Sequence, residues 1–412
     1  MPPVPPSPDL RPPPHLLWNR WALFASALAA LGVHDVYWCA ADGAHHDDHG
    51  GNRSRLVLVD GGRAVLFGYD HEYSDTAAAT PPIDLLDGAP AWLPWPELLR
   101  WQADDQLGYV YWYDDGVWSR VPYPDDVSDG LVATARSVLD AERARLELVD
   151  VVFEWGEHGR DDPAERDDVA GAATRLLAAA EARALDAGHL SGLLGRLPAD
   201  AVDLPAALAV ADAAGITPDA VAPPVVPAGT AVPGRRVRAL SVDGHEDLVR
   251  AAMREESERR RTEPEHRPEL DALAAWVRGQ APAGDGRCTL LVAATDTSLA
   301  TQRGPQPPRA LIGETDWQGF RELSGLTRAL RTAETHPEEG RWFFLRLTTT
   351  PEGHAVERRY DSWPDWYPSP RYDMHLGDLR TELDRRAPRY RPSWAPLLDP
   401  EVAWRDVPGD AG

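Results

Sequence analysis

Two stretches of this chain carry the same succession of a tight turn between aromatic strands, an aromatic tail and a helical segment. In residues 107–145, GYVYWYDDGVWSRVPYPDD runs into GLVATARSVLDAERAR; in residues 341–391, RWFFLRLTTTPEGHAVERRYDSWPDWYP leads to GDLRTELDRR. The turn in the first is Asp114-Asp115-Gly116, where glycine accepts the positive φ that twisted antiparallel strands demand. The second closes on Pro351-Glu352-Gly353, with proline at the first corner. A third turn, Asp60-Gly61-Gly62, joins two apolar runs upstream. The pattern predicts an α+β protein: two α+β domains with mainly antiparallel sheets, joined by a small helical module.

At 412 residues the chain has room for several cores. The proline-rich residues 1–14 read as a disordered arm. An N-terminal domain follows over 15–155, with a helix at 16–31 and strands at 35–40, 55–60, 63–69 and 107–121. Helices are expected at 95–101 and 128–148, capped by Ser128 or Asp129. VDVVFEW, at 149–155, reads as a strand. Residues 156–216 form the helical connector, beginning with Asp162 as cap and Pro163 at the first helical position, and 217–234, dense in proline and glycine, form a linker. The C-terminal domain spans 235–412, with helices at 246–261, 269–277 and 320–335 and strands at CTLLVAATD, RALIGETD and the hairpin of 342–360.

The acidity is unevenly placed. Residues 1–150 hold 10 Arg against 23 acidic residues, whereas 235–412 hold 27 against 30, within a total of −24. Such a first half repels nucleic acid, which needs a basic face, and attracts a basic protein. All the cations are arginine. The missing lysine excludes a P-loop, a kinase strand lysine and Schiff-base chemistry. Cys39 and Cys288 form no CxxC pair, as expected of a cytoplasmic protein. The apolar run at 21–33 has the length of a signal-peptide core, but Trp18, Trp21, Ala25 and Leu28 recur at helical spacing, and 13 residues fall short of the ~20 needed to span a bilayer. No membrane association is expected.

Few residues carry recognisable chemistry. The densest set of metal-ligating types is ADGAHHDDHGG, where His45 and His49 could converge with Asp70, His71 or Glu72 from a neighbouring strand; contiguous ligands cannot all reach one ion, and the segment reads otherwise as a solvated loop. His71-Glu72-Tyr73-Ser74-Asp75 has an aspartate where a zinc-protease helix needs its second histidine. No Gly-x-Ser-x-Gly elbow, Gly-x-Gly-x-x-Gly loop or Cys–His nucleophile is present. No catalytic residue and no cofactor are assigned.

The helix LTRALRTAE followed by RWFFLRLTTTPEGHAVERRYDSWPDW, through Trp342, Glu352, Gly353, Tyr360 and Asp361, resembles the ending of YezG-type immunity proteins of bacterial polymorphic-toxin systems, and the likeness is confined to the C-terminal domain. The resemblance implies a non-catalytic factor that binds and neutralises a toxin. Tyr360, Asp361, Trp363, Asp365, Trp366 and Tyr367 here, with Trp112 and Trp118 in the first hairpin, are then the expected partner-binding residues, since aromatics on stiff loops make interface anchors. Asp361, Asp365 and Asp373 would pair with arginines of a basic toxin. Two alternatives stand beside this one: a metal-dependent enzyme using the loop from His45 to His49, and a scaffold whose similar halves self-associate.

Overall fold

The glycine turns read from the sequence organise the first sheet in the computed structural model, which describes residues 12–156, 163–281, 286–304, 317–368 and 374–409. Strands β1 (Tyr37–Ala40), β2 (Gly43–Asp47), β3 (Arg53–Val59), β4 (Arg63–Tyr69), β5 (Tyr109–Asp114) and β6 (Val117–Ser119) follow one another as an antiparallel meander in sequence order. Gly61 and Gly62 turn at φ 86° and 75°, and Asp115 and Gly116 at 49° and 85°, the left-handed pair of a two-residue hairpin. The expected α+β class holds, with antiparallel sheets in two units: one comprises residues up to Arg238 and from Asp406 onward, the other Ala239–Arg405.

Both faces of the first sheet are covered. Leu56, Leu66, Tyr109 and Tyr111 meet a helical layer centred on α1 (Pro14–Ala29), which is buried on all sides and hence largely apolar, its buried Asn19, Arg20 and Ser26 each hydrogen-bonded to the helices around it. Trp18 of α1 donates its indole N–H to the Ala214 carbonyl at 2.8 Å and Trp21 to that of His45 at 2.7 Å. Around α1 lie α4 (Leu131–Leu139), α5 (Ala141–Asp150), α6 (Pro163–Glu181), α7 (Ala187–Leu194) and α8 (Leu204–Ala213), so the expected connector shares the core of the first domain. The single helix expected at 128–148 is two, because Asp140 is extended and caps α5 through the Arg143 amide. VDVVFEW is no strand: Val151–Trp155 continues the helical path as a π-helical turn, and burial of Val151, Val152 and Phe153 among helices overrides their β preference.

The opposite face carries Val57, Val65, Phe67, Val110 and Trp112 against Leu93, Trp95 and Leu98. Trp95 and Leu98 belong to α3 (Trp95–Ala103); the short α2 (Asp75–Ala78) precedes it. Residues 217–234, expected as a free linker, pack here instead. Val226 exchanges backbone hydrogen bonds with Leu58 and Asp60, and the Gly229 amide donates to Trp92. The proline that forbids regular structure leaves room for such isolated pairings. Strand β7 (Arg235–Arg238) ends the passage.

In the second unit, α9 (Val242–Glu255) and α10 (Pro268–Gly279) lead into β8 (Cys288–Ala294), β9 (Leu299–Gly304), α11 (Trp317–Ala333), β10 (Phe344–Thr350), β11 (Gly353–Arg359) and α12 (Leu376–Asp384). The four-stranded antiparallel sheet has the order β11-β10-β8-β9. Leu290, Val292, Leu345 and Leu347 pack on α10 and α11, while Leu291, Ala293 and Phe344 face Trp363, Tyr367 and helices α9 and α12. Residues 299–304, between the expected strands CTLLVAATD and RALIGETD, are themselves a strand. Of the arm expected over residues 1–14, residues 1–11 lie outside the described residues, as do the cap Asp162 and the strand RALIGETD; the rest is ordered, with Pro14 opening α1 and the Pro12 carbonyl accepting from the Trp118 indole, because proline suits the first helical position. Its four-stranded order differs from the six-stranded meander, so the two hairpins sit in unlike sheets.

Candidate functional site

The tryptophans expected to face outward are largely enclosed. Trp112 and Trp118 are 5% and 3% exposed, on opposite faces of a sheet covered on both. Trp363 and Tyr367 stand against Phe344 with ring centroids 4.8 and 5.2 Å away. Asp361 is fully buried and accepts from Arg261 at 2.5 Å and Arg386 at 3.1 Å, both within its own unit. Burial pushes its carboxyl up, and those guanidiniums oppose the push. Glu258 takes the amides of Tyr360 and Ser362, fixing the start of the tail. These residues are a structural clasp, corrected from the expected contact surface because the prolines route the rings back onto the sheet. Tyr360 is half-buried under Arg261, its phenol pushed up to about 12 by burial. Trp366 is half-buried and donates to Glu357 at 2.9 Å; Asp365 alone of the set is fully outward. Asp373 lies outside the described residues.

The histidine segment is a strand, not a loop, and alternation separates its members. His45 turns to one face and His46 to the other, where its ring lies 4.5 Å from that of Tyr37. His49, past the strand end at φ 57°, pairs with Asp35 at 3.2 Å, and His71 with Asn52 at 3.0 Å. Among the described residues no three His, Cys, Asp or Glu side chains are arranged to hold a metal ion.

His45 instead helps to floor a trough of about 460 Å³ on the α3 side of the first sheet. The pairing register sets Trp38, His45 and Arg55 side by side on β1, β2 and β3. Trp38 and His45 stack with centroids 4.7 Å apart and planes 9° from parallel. One turn of α3 forms the wall with Glu97 and Trp101, the latter edge-on to Phe67. Arg55, buried at the base, meets Asp42 at 2.6 Å and also Glu97, which accepts in addition from Arg100 and the Trp101 indole. The Nε of Arg55 has no partner among the described residues.

Charges in the trough are mutually compensated. Burial and the Arg55 charge hold His45 below the usual imidazole range, outweighing the 3.1 Å hydrogen bond to Asp42, so the stacked platform is neutral near pH 7. Although burial pushes Asp42 up, the His45 hydrogen bond and Arg55 hold it below the usual carboxylate range. Among the described residues no hydroxyl or thiol hydrogen-bonds to His45. What the arrangement can do is offer a flat aromatic floor rimmed by exposed carboxylates of Asp42 and Asp104. Sequence reasoning missed Trp38, Asp42, Arg55 and Glu97 as a group; the signal was a strand in which Arg55 replaces an apolar residue amid RSRLVLV. No family model matches this chain, and no curated protein or solved structure shows a significant match to it.

Proposed function

We propose that the protein is a non-catalytic binding factor, of the immunity or antitoxin kind, whose acidic first unit captures a basic segment of a toxin in the trough beside α3. The observation that carries this reading is the neutral Trp38–His45 platform flanked by solvent-facing carboxylates. An arginine or lysine of a partner could lie over the rings and reach Asp42 or Asp104 at the rim; such cation–π contacts contribute about 0.5–2 kcal/mol. The acid excess of residues 1–150 would speed encounter with a basic partner.

The test is co-expression with candidate basic toxin domains encoded beside this chain, followed by size exclusion and calorimetry. A stable complex is expected, weakened about tenfold by Trp38→Ala or by Asp42→Asn, with affinity falling as salt rises. Absence of a complex with every candidate, or a complex indifferent to both substitutions, would remove the basis for this function.

A further inference from the structure

A second cavity, of about 230 Å³, lies within the second unit between β8 and α11, and its electrostatic character is the reverse of the first. Arg328, Arg331 and Arg341 line it with a single carboxylate, Asp296. Asp296 is shared: it meets Arg331 at 3.4 Å and is in closer contact with Arg341 and with Arg385 from α12. Arg331 is also paired with Glu382, behind the lining. Arg328 gives its N–H groups to main-chain carbonyls, that of Asp296 at 2.6 Å and that of Thr297 at 3.4 Å, and pairs with no carboxylate among the described residues. Asp378, the next acid outward, accepts from the hydroxyls of Thr295, Thr297 and Ser298 rather than from a guanidinium. The lining itself therefore holds a surplus of two positive charges in a protein of net charge −24.

An independent observation says that this surplus is for a ligand. Thr327, fully buried on α11 and lining the same cavity, has a hydroxyl with no hydrogen-bond partner among the described residues. Helical threonines ordinarily return the hydroxyl to a carbonyl one turn back, as Thr174 and Thr381 do here. A buried hydroxyl left alone costs free energy, and a ligand oxygen at this place would recover it. We propose that the cavity is a binding site for a phosphate group in its dianionic, monoester-like form, held by Arg328, Arg331 and Arg341 and by the Thr327 hydroxyl. Guanidiniums arriving from different directions suit a tetrahedral dianion better than a planar carboxylate, and the two surplus charges match it. The site stands on the second unit alone and does not depend on the toxin-binding reading.

Titration calorimetry of the full chain at fixed ionic strength, with inorganic phosphate, O-phosphoserine and succinate, tests it. Phosphate or phosphoserine should bind and succinate should not; tighter phosphoserine binding marks a phosphorylated side chain as the source, tighter inorganic phosphate a free ion. Thr327→Val should weaken phosphate binding about tenfold or more while the unfolding midpoint of the free protein holds or rises. Arg328→Gln, at an exposed position, should do the same and serves where the valine variant does not fold. Absence of binding by both phosphate ligands, succinate binding as tightly as phosphate, or affinity unchanged in both variants would overturn the proposal.

Discussion

His46 should make the first unit acid-sensitive in a defined window. Its ring is pressed on Tyr37, its Nδ1 has no partner among the described residues, and burial pulls the imidazole down from the usual 6.5 to about 4 despite Asp48 and Asp47 nearby. A histidine whose folded pKa is depressed binds its proton more readily when unfolded. Its contribution is thus fully present above pH 6.5 and is lost as pH falls towards 4. A gap of that size, at about 1.4 kcal/mol for each pH unit, sets an upper bound of about 3 kcal/mol. Unfolding of a chain with two units need not be two-state, so the assay is hydrogen exchange by mass spectrometry on peptides from β2 and β3, at pH 7 and 4.5, with rates corrected for intrinsic pH dependence. His46→Phe keeps an aromatic ring on Tyr37 and removes the titration; His45 and Glu147 are common to both proteins and cancel, and the part of the Asp48 shift that the His46 charge supplies is counted with the histidine. The wild type should lose up to about 3 kcal/mol more protection than the variant over that interval. Equal losses, or an NMR titration placing the His46 ring near 6.5, would refute the reasoning.

Three further outcomes follow from the packing. Asp361→Ala strips the carboxylate from buried Arg386 and Arg261 and should cost the second unit about 3–5 kcal/mol, read as lost exchange protection in β10. Gly68→Ala would set a Cβ 2.4 Å from both the Arg53 carbonyl and the Tyr109 hydroxyl. Since the carbonyl belongs to the paired strand, the change should cost about 2 kcal/mol or more in a chemical melt, with no rescue by Tyr109→Phe. Arg55→Met should leave stability within about 1 kcal/mol of wild type, because Asp42 keeps His45 and Glu97 keeps Arg100 and Trp101; a much larger loss would show that the buried guanidinium holds the trough together.

The turns were legible because glycine chemistry is local: Gly61, Gly62 and Gly116 take the positive φ that their sequences announce. So were most helices and the second hairpin, whose paired strands run from Phe344 with Arg359 to Thr350 with Gly353. Orientation of the aromatics was not, because it depends on what covers each face. The runs LVLV, AVLF and VYWY lack alternation, the mark of strands buried on both sides. On that ground alone Trp112 belongs inside. Asp361 carried a similar clue in its distant complement, the Glu258–Arg261 run of charges, but only the fold brings residues 100 positions apart into one clasp. Strand β2 was hidden for another reason: histidine and aspartate have weak β preference, and GAHHD is a strand because β1 and β3 pair with it on either side.

Net charge was informative about regions and silent about sites. In the acidic first unit the trough gathers arginines and matches each with a carboxylate, which leaves a neutral aromatic floor suited to receiving a cation. In the nearly balanced second unit, one aspartate is shared among three arginines while a fourth has only main-chain oxygens, so a small cavity is left cationic. Counting residues along the chain agrees with the first preference and misses the second, since each local sum is set by which side chains the sheets and helices bring within a few ångströms. Both proposals therefore rest on pairing geometry: an unmatched guanidinium or an orphaned hydroxyl at a cavity wall is a stronger reason to expect a ligand there than the charge of the surface around it.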